Sequence, residues 1–187
     1  IYINTDNGVT FNGVSSVTTA DVVASNGIIH IVDSVIGLPT IVTFAVADPN
    51  FEILVQALTR DDLTMDFVGL LNSSTSPPTP LTVFAPVNNA FVNLLDELGL
   101  NGLNDIDEPT LSAVLTYHVV TGANQLSINL SDGMEFTTAG GGALLFNFGD
   151  NGEGILTDNN GRTSNIVAVD VQANNGIIHA IDKVVLP

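Results

Sequence analysis

Tyr117 and His118 stand side by side after an apolar stretch, and they are the pair best equipped for chemistry in this 187-residue chain. An imidazole beside a phenol serves as a general base or a metal ligand. Alternatively it is a buried pair whose polar atoms are satisfied by hydrogen bonds. His118 falls on the helical face of Leu111, Val114 and Leu115, which favours the buried reading. His30 and His179 lie inside apolar Ile-Ile-His stretches. Asp33 and Asp182 follow them at i+3, the opposite face of a strand, so no ligand pair forms and both histidines read as structural. Asp182 is placed to accept from backbone amides at the strand end. The acidic groups Asp61-Asp62-Asp66, Asp96-Glu97, Asp105-Asp107-Glu108 and Asp150-Glu153-Asp158 do not match a calcium-loop spacing. The turns at Asp150-Asn151-Gly152-Glu153 and Asp158-Asn159-Asn160-Gly161 are rich in oxygen and offer at most weak surface Ca²⁺ binding. No other cofactor is implied. Nucleophile-elbow, zinc-protease, phosphate-loop and dinucleotide patterns are absent, and Gly140-Gly141-Gly142 reads as a flexible turn. The expectation is a protein without catalysis.

Composition narrows the partners. Asp and Glu number 20 against 3 Lys and Arg, a net charge of −17. Arg60, Arg162 and Lys183 cannot form a phosphate-neutralising patch, so neither nucleic acid nor an anionic membrane surface is an expected partner. So much like charge repels itself unless salt screens it, which suits a saline extracellular setting. With no Cys there is no disulfide framework, thiolate zinc site or thiol nucleophile. The absence of Cys together with the acidity points to a bacterial source. Asn72-Ser73-Ser74 and Asn129-Leu130-Ser131 are glycosylation sequons with meaning only in a eukaryotic secretory route. No apolar run reaches the roughly 18 residues that span a bilayer. The chain opens on Ile1 without Met, as expected of a processed piece of something longer.

An internal repeat organises the sequence. Asn26-Gly27-Ile28-Ile29-His30-Ile31-Val32-Asp33 recurs at Asn175-Gly176-Ile177-Ile178-His179-Ala180-Ile181-Asp182, and Asp21-Val22 maps onto Asp170-Val171 at the same offset of 149 residues. A unit of that size is a domain. The expected division makes residues 1–39 the C-terminal part of one copy and 40–187 the whole of the next, abutting at a stiff junction. Within the second copy, Asp48-Pro49 starts a helix that presents Phe51, Leu54, Val55 and Leu58. Asp61-Asp62 is expected to open another with Leu63, Phe67, Leu70 and Leu71. Residues 72–80 read as a loop. Leu81–Ala85 reads as a buried strand stopped by Pro86. Asn88 or Asn89 is expected to cap a helix carrying Phe91, Leu94, Leu95 and Leu98, and Asp107-Glu108-Pro109 to start the next. From Val119 onward the pattern becomes strands separated by Gly, Asn and Asp. Seven Asn-Gly pairs suggest tight hairpins. Helices followed by strands make an α+β fold.

Three stretches in order give the chain a resemblance to the fasciclin domain family. Thr82-Val83-Phe84-Ala85-Pro86-Val87-Asn88-Asn89-Ala90-Phe91 is similar to the family's first signature, with Val87 where many members carry Thr. Tyr117-His118 is similar to its Tyr-His motif. The segment from Asn175 and Gly176 through His179 and Asp182 to Pro187 is similar to its closing signature. The resemblance implies a β-sandwich or wedge of about seven strands flanked by helices, preceded by the last strands of another copy. It also implies an extracellular or cell-surface location in a tandem array, and adhesion or matrix function. The expected partners are other proteins or glycans on a cell or matrix surface and neighbouring domains or chains, with no membrane insertion by this segment. An apolar small-molecule site of the carotenoid-binding kind is the alternative. Thr82, Phe84, Pro86, Asn88, Tyr117, His118, Asn175, Gly176, His179 and Asp182 are the motif positions expected to brace the scaffold or meet a partner. The apolar strands of residues 1–39 lack covering helices, so tandem or filament-like association is expected.

Overall fold

The computed structural model describes residues 1–75 and 79–187. Residues 76–78, in the middle of the loop read from the sequence, lie outside the described residues. The chain begins with four strands, β1 (Ile3–Asn4), β2 (Thr10–Phe11), β3 (Ser15–Ala24) and β4 (Gly27–Val32). They pair antiparallel in sequence order as one small sheet. A helical layer follows: α1 (Ile41–Ala47), a 3₁₀ turn at Pro49–Phe51, α2 (Glu52–Leu58) and α3 (Phe67–Asn72). Strand β5 (Leu81–Pro86) leads into α4 (Asn88–Leu98), α5 (Glu108–Tyr117) and β6 (Val119–Thr121). The rest is strand: β7 (Met134–Thr137), β8 (Ala143–Phe148), β9 (Gly154–Thr157), β10 (Thr163–Ala173) and β11 (Gly176–Ile181).

These last strands close a seven-stranded mixed sheet, ordered β6-β5-β11-β10-β9-β8-β7, that curls into a near-barrel flanked by the helices. The α+β expectation holds. At its centre β5 and β11 run parallel, with Gly176 opposite Leu81 and His179 opposite Phe84. Every residue of both strands is buried, as expected for a parallel pair covered on two faces. Alternation divides the side chains between two cores. Leu81, Val83, Ala85, Ile178 and Ala180 join the helical residues Phe44, Leu54, Phe67, Phe91 and Leu111. Phe84 and Ile181 join Tyr117, Phe136, Leu144, Phe146 and Leu156 on the other side.

Helix starts follow local chemistry. Thr40 and Thr43 form a capping box at α1. The Asp48 carboxylate caps the 3₁₀ turn through Asn50 N at 2.9 Å, and Asp107 caps α5 through Thr110 N at 3.1 Å. Three expectations are corrected. Helix α3 opens at Asp66, which accepts from Gly69 N at 2.8 Å. Asp62 instead pairs with the Arg60 guanidinium, whose remaining donors fix the carbonyls of Leu103 and Ile106. Nor does Asn88 cap α4. The cap position is Val87, with no side-chain bond, and the Asn88 amide reaches across to Ile53 N and Pro49 O. Finally, Asn26-Gly27 and Asn175-Gly176 do not occupy the two central turn positions. Those are Ser25-Asn26 and Asn174-Asn175, and each glycine is the first residue of its strand. Asn12-Gly13 does use positive φ at both residues, 53° and 65°.

Candidate functional site

The motif residues assemble along the central parallel pair and are spent on the chain's own backbone. Thr82 Oγ1 donates to Ala123 O and accepts from Gln125 N, pinning the segment after β6 to β5. Phe84 stacks on the His179 ring at 5.7 Å. Pro86 is buried and ends β5. Tyr117 is fully buried. Its hydroxyl donates to Ala143 O and accepts from Asn159 N, which ties α5 to the two loops facing it. The triglycine is a seat for this ring. A Cβ on Gly142 would lie 2.5 Å from Tyr117 Cε2, and one on Gly140 would lie 3.0 Å from Thr116 Oγ1, so packing sets this turn beyond mere flexibility.

His118 is a buried link between α5 and the C-terminal segment. Its Nδ1 meets Val114 O at 2.7 Å and its Nε2 accepts from Val185 N at 3.2 Å, a pair of bonds that the neutral Nδ1–H tautomer satisfies. His179 donates from Nε2 to Gln125 O at 2.8 Å, while Nδ1 has no hydrogen-bond partner among the described residues. Asp182 accepts from Asn165 N and Ser164 Oγ on one oxygen and from Asn165 Nδ2 on the other, locking the foot of the β10-β11 hairpin. Asn175 joins three helical-layer groups to the hairpin tip, accepting from Ile41 N and donating to Leu71 O and Ser73 O.

Two carboxylates outside the motifs belong to the same framework. Asp158 is buried, accepts from Asn160 N and Arg162 N on Oδ1 and from Leu186 N on Oδ2, and so anchors the chain end. Its oxygens are committed to amides rather than turned to an ion. Among the described residues no cluster of three or more His, Asp or Glu is arranged to hold a metal. Asp170 sits at positive φ on a bulge of β10 and binds the Ser127 amide and hydroxyl. It lies across the hairpin from His179, a partner that counting along one strand misses; only the recurrence of Asp21 and Asp170 in the repeat signals it.

Burial governs the two histidines. It pushes His118 down to about 4, against the opposing pull of the Val114 carbonyl and the Asp158 charge, and it lowers His179 against Gln125 and Asp170. Burial thus favours the neutral form of both in the folded protein, whereas in the unfolded chain they take up protons below pH about 6.5. The contribution of His118 to stability is complete above that pH and is lost as pH falls toward 4, and the lowered His179 acts in the same direction. For His118 alone the loss reaches about 2 kcal/mol by pH 5. Urea midpoints at constant ionic strength should therefore decline from pH 7.5 to pH 5; a flat or rising midpoint would contradict buried neutral histidines.

Among the described residues an apolar pocket of about 110 Å³ reaches into the core, walled by Ile41, Phe51, Leu54 and Ile178 with His118 at one side. Enclosed ligand sites offer roughly 300–1,000 Å³. A second space of about 390 Å³ lies where Tyr2 approaches Phe44 and Val87, with Asp48 and Asn50 on its lining. The first is too small for a long polyene and the second carries a carboxylate, so the carotenoid-like alternative draws no support. No single helix among the described residues is long and apolar enough to cross a membrane.

Comparison with known proteins agrees with this architecture. The fasciclin domain model matches residues 1–39 and 49–187. The uncharacterized protein sll1735 of Synechocystis is 35% identical over 153 residues, covering 80% of this chain and 98% of that protein. Human periostin is 28% identical over 185 residues, of which this chain spans only 20% of the relative's length. The solved FAS1 domain pair from the insect cell adhesion molecule fasciclin I superposes with a TM-score of 0.62 at 22% identity, covering 94% of this chain and 61% of that one.

Proposed function

The chain belongs to the fasciclin domain family, and on that premise we propose that it is an adhesion or matrix module of an extracellular or cell-surface array. In this reading residues 1–39 close one unit and residues 40–187 form the next. The observation that carries it is the inward commitment of the motif. Thr82, Tyr117, His118, Asn175 and Asp182 bond backbone groups of their own domain, which leaves recognition to loops, edges and surface charge. That surface is acidic, at a net charge of −17, and the cationic exceptions are mostly tied up. Arg60 pairs with Asp62, and Arg162 grips Glu97 with both terminal nitrogens. A partner would be a basic protein face, a glycan, or another acidic surface joined through divalent cations.

Beads coated with the purified chain test this against cells and matrix, with and without chelator. Adhesion that weakens on chelation or at raised ionic strength is the expected result. Beads that adhere under none of these conditions would remove the reading.

A further inference from the structure

The two copies of the repeat fold into the same hairpin in opposite surroundings. Strands β3 and β4 pair as Val17–Val32, Thr19–Ile31, Val22–Ile29, Val23–Ile28 and Ala24–Gly27. Each pair maps onto a β10-β11 pair at the offset of 149 residues, including the register shifts. Asp21 and Asp170 take positive φ, 59° and 61°, at the same bulge. Asp33 accepts from Ser16 N as Asp182 accepts from Asn165 N, and Ser15 donates to Ser34 O as Ser164 donates to Lys183 O. The hairpin is thus encoded locally. Its cover differs. Ile177 and Ile178 are 0% and 2% exposed, whereas Ile28 and Ile29 are 61% and 54% exposed. Strand β11 lies between β10 and β5, while β4 is the last strand of its sheet and its outer edge is open.

We propose that the outer edge of β4 is a docking site for one added parallel strand of the β5 type, apolar with an internal threonine and ended by Ala-Pro, supplied by a fasciclin unit that precedes Ile1. The inference rests on the reading that residues 1–39 close such a unit. Three features of the β3-β4 hairpin lack the cover that their counterparts in β10-β11 have. Gly176 is where the Leu81 backbone crosses: a Cβ there would stand 2.8 Å from Leu81 N and 2.9 Å from its carbonyl carbon. Gly27 holds the same position, yet nothing lies within 4 Å of its Cβ direction. His179 is covered by the Phe84 ring, while His30 is exposed and, among the described residues, its ring nitrogen meets only Asp21, accepting from the amide and lying 3.9 Å from the carboxylate. Asn175 binds the ends of two helices through its amide, while Asn26 makes no side-chain hydrogen bond among the described residues. The β5 of a second copy cannot serve, because both its edges are already paired with β6 and β11.

The test places the segment Thr79–Asn89 ahead of Ile1 through a flexible Gly/Ser linker, which holds it at millimolar effective concentration, and follows amide hydrogen exchange across Gly27–Val32. The expected result is at least tenfold slower exchange at alternate residues of β4. That protection should be absent with a scrambled segment and absent in the Gly27→Ala variant, whose added methyl meets only open space until a strand arrives. Unchanged exchange in the fused chain overturns the proposal. So does a concentration-dependent dimer of the unfused chain with β4 already protected, since a second copy would then be the occupant. The sequence of the parent polypeptide separates the two readings. A preceding unit with its own Ala-Pro strand and Tyr-His pair leaves the array reading standing even if docking fails, and its absence removes both.

Discussion

Replacing Gly176 with alanine should unfold the domain or bring it close to unfolding, a loss of about 4 kcal/mol or more against a typical total of roughly 5–15 kcal/mol. The backbone here has ordinary φ, so alanine meets no conformational penalty of its own; the cost is contact. Its methyl group would press on the backbone of Leu81, whose amide is drawn over this point by a 3.0 Å bond to Asn175 O. Backbone cannot change rotamer to escape, and β5 cannot retreat, because β6 holds its other edge and buried side chains pack both faces. Gly27→Ala is the internal control. With open space around it, that change should shift stability by about 0.5 kcal/mol or less, in the stabilising direction if the unfolded chain loses freedom. Urea unfolding of the two variants side by side decides the matter. A Gly176→Ala protein with a midpoint near that of the parent would show that β5 and β11 approach less closely than described.

That pair of glycines also marks what the sequence makes legible. The repeat, the α+β order, the buried strand ending at Pro86 and the motif positions are all readable, because each has a short-range signature: a constant offset, a change of period, a proline, a capping aspartate. The burial of β11 and the exposure of β4 are not, since Gly-Ile-Ile-His reads identically in both; what differs is whether a strand distant in sequence lies alongside. Helix α1 escapes notice for a related reason. Thr40-Ile41-Val42-Thr43 is rich in β-branched residues, and tertiary packing of Ile41 and Phe44 with a capping box overrides that preference. Asn88 is misread because its family position suggests a cap, while the partners it satisfies, Ile53 N and Pro49 O, lie more than thirty residues away. Asp158 reads as a surface turn acid, and Asp170 as no more than a repeat position, for the same reason. Their partners, Leu186 N and Ser127, lie 28 and 43 residues away, and separations of that kind leave no trace in spacing. The polar framework is therefore visible as residue types but not as bonds.

Asn175→Ala is expected to be the other severe loss, roughly 3–5 kcal/mol, and for the opposite reason: an absence of partners rather than an excess of contact. The Asn175 side chain accepts from Ile41 N at 3.1 Å and donates to Leu71 O at 2.7 Å and Ser73 O at 3.0 Å. Ile41 N is among the amides that the start of α1 cannot satisfy internally, and Leu71 O is among the carbonyls left over at the end of α3. One amide side chain thus closes two helix ends onto the hairpin tip. Buried polar groups abandoned by a lost partner cost about 1–3 kcal/mol each, with shared relaxation keeping the total below the sum. Asn175→Asp separates hydrogen bonding from shape. It keeps an acceptor for Ile41 N but turns a carboxylate oxygen toward two carbonyl oxygens, so at neutral pH it should be no more stable than the alanine variant. Asn26→Ala, at the equivalent but exposed position, should change stability by about 0.5 kcal/mol or less. Urea midpoints, with hydrogen exchange at Ile41 as the local readout, distinguish these outcomes. If Asn175→Asp matches the parent at pH 7, the amide nitrogen does not hold those two carbonyls, and the closing motif owes its composition to something other than capping.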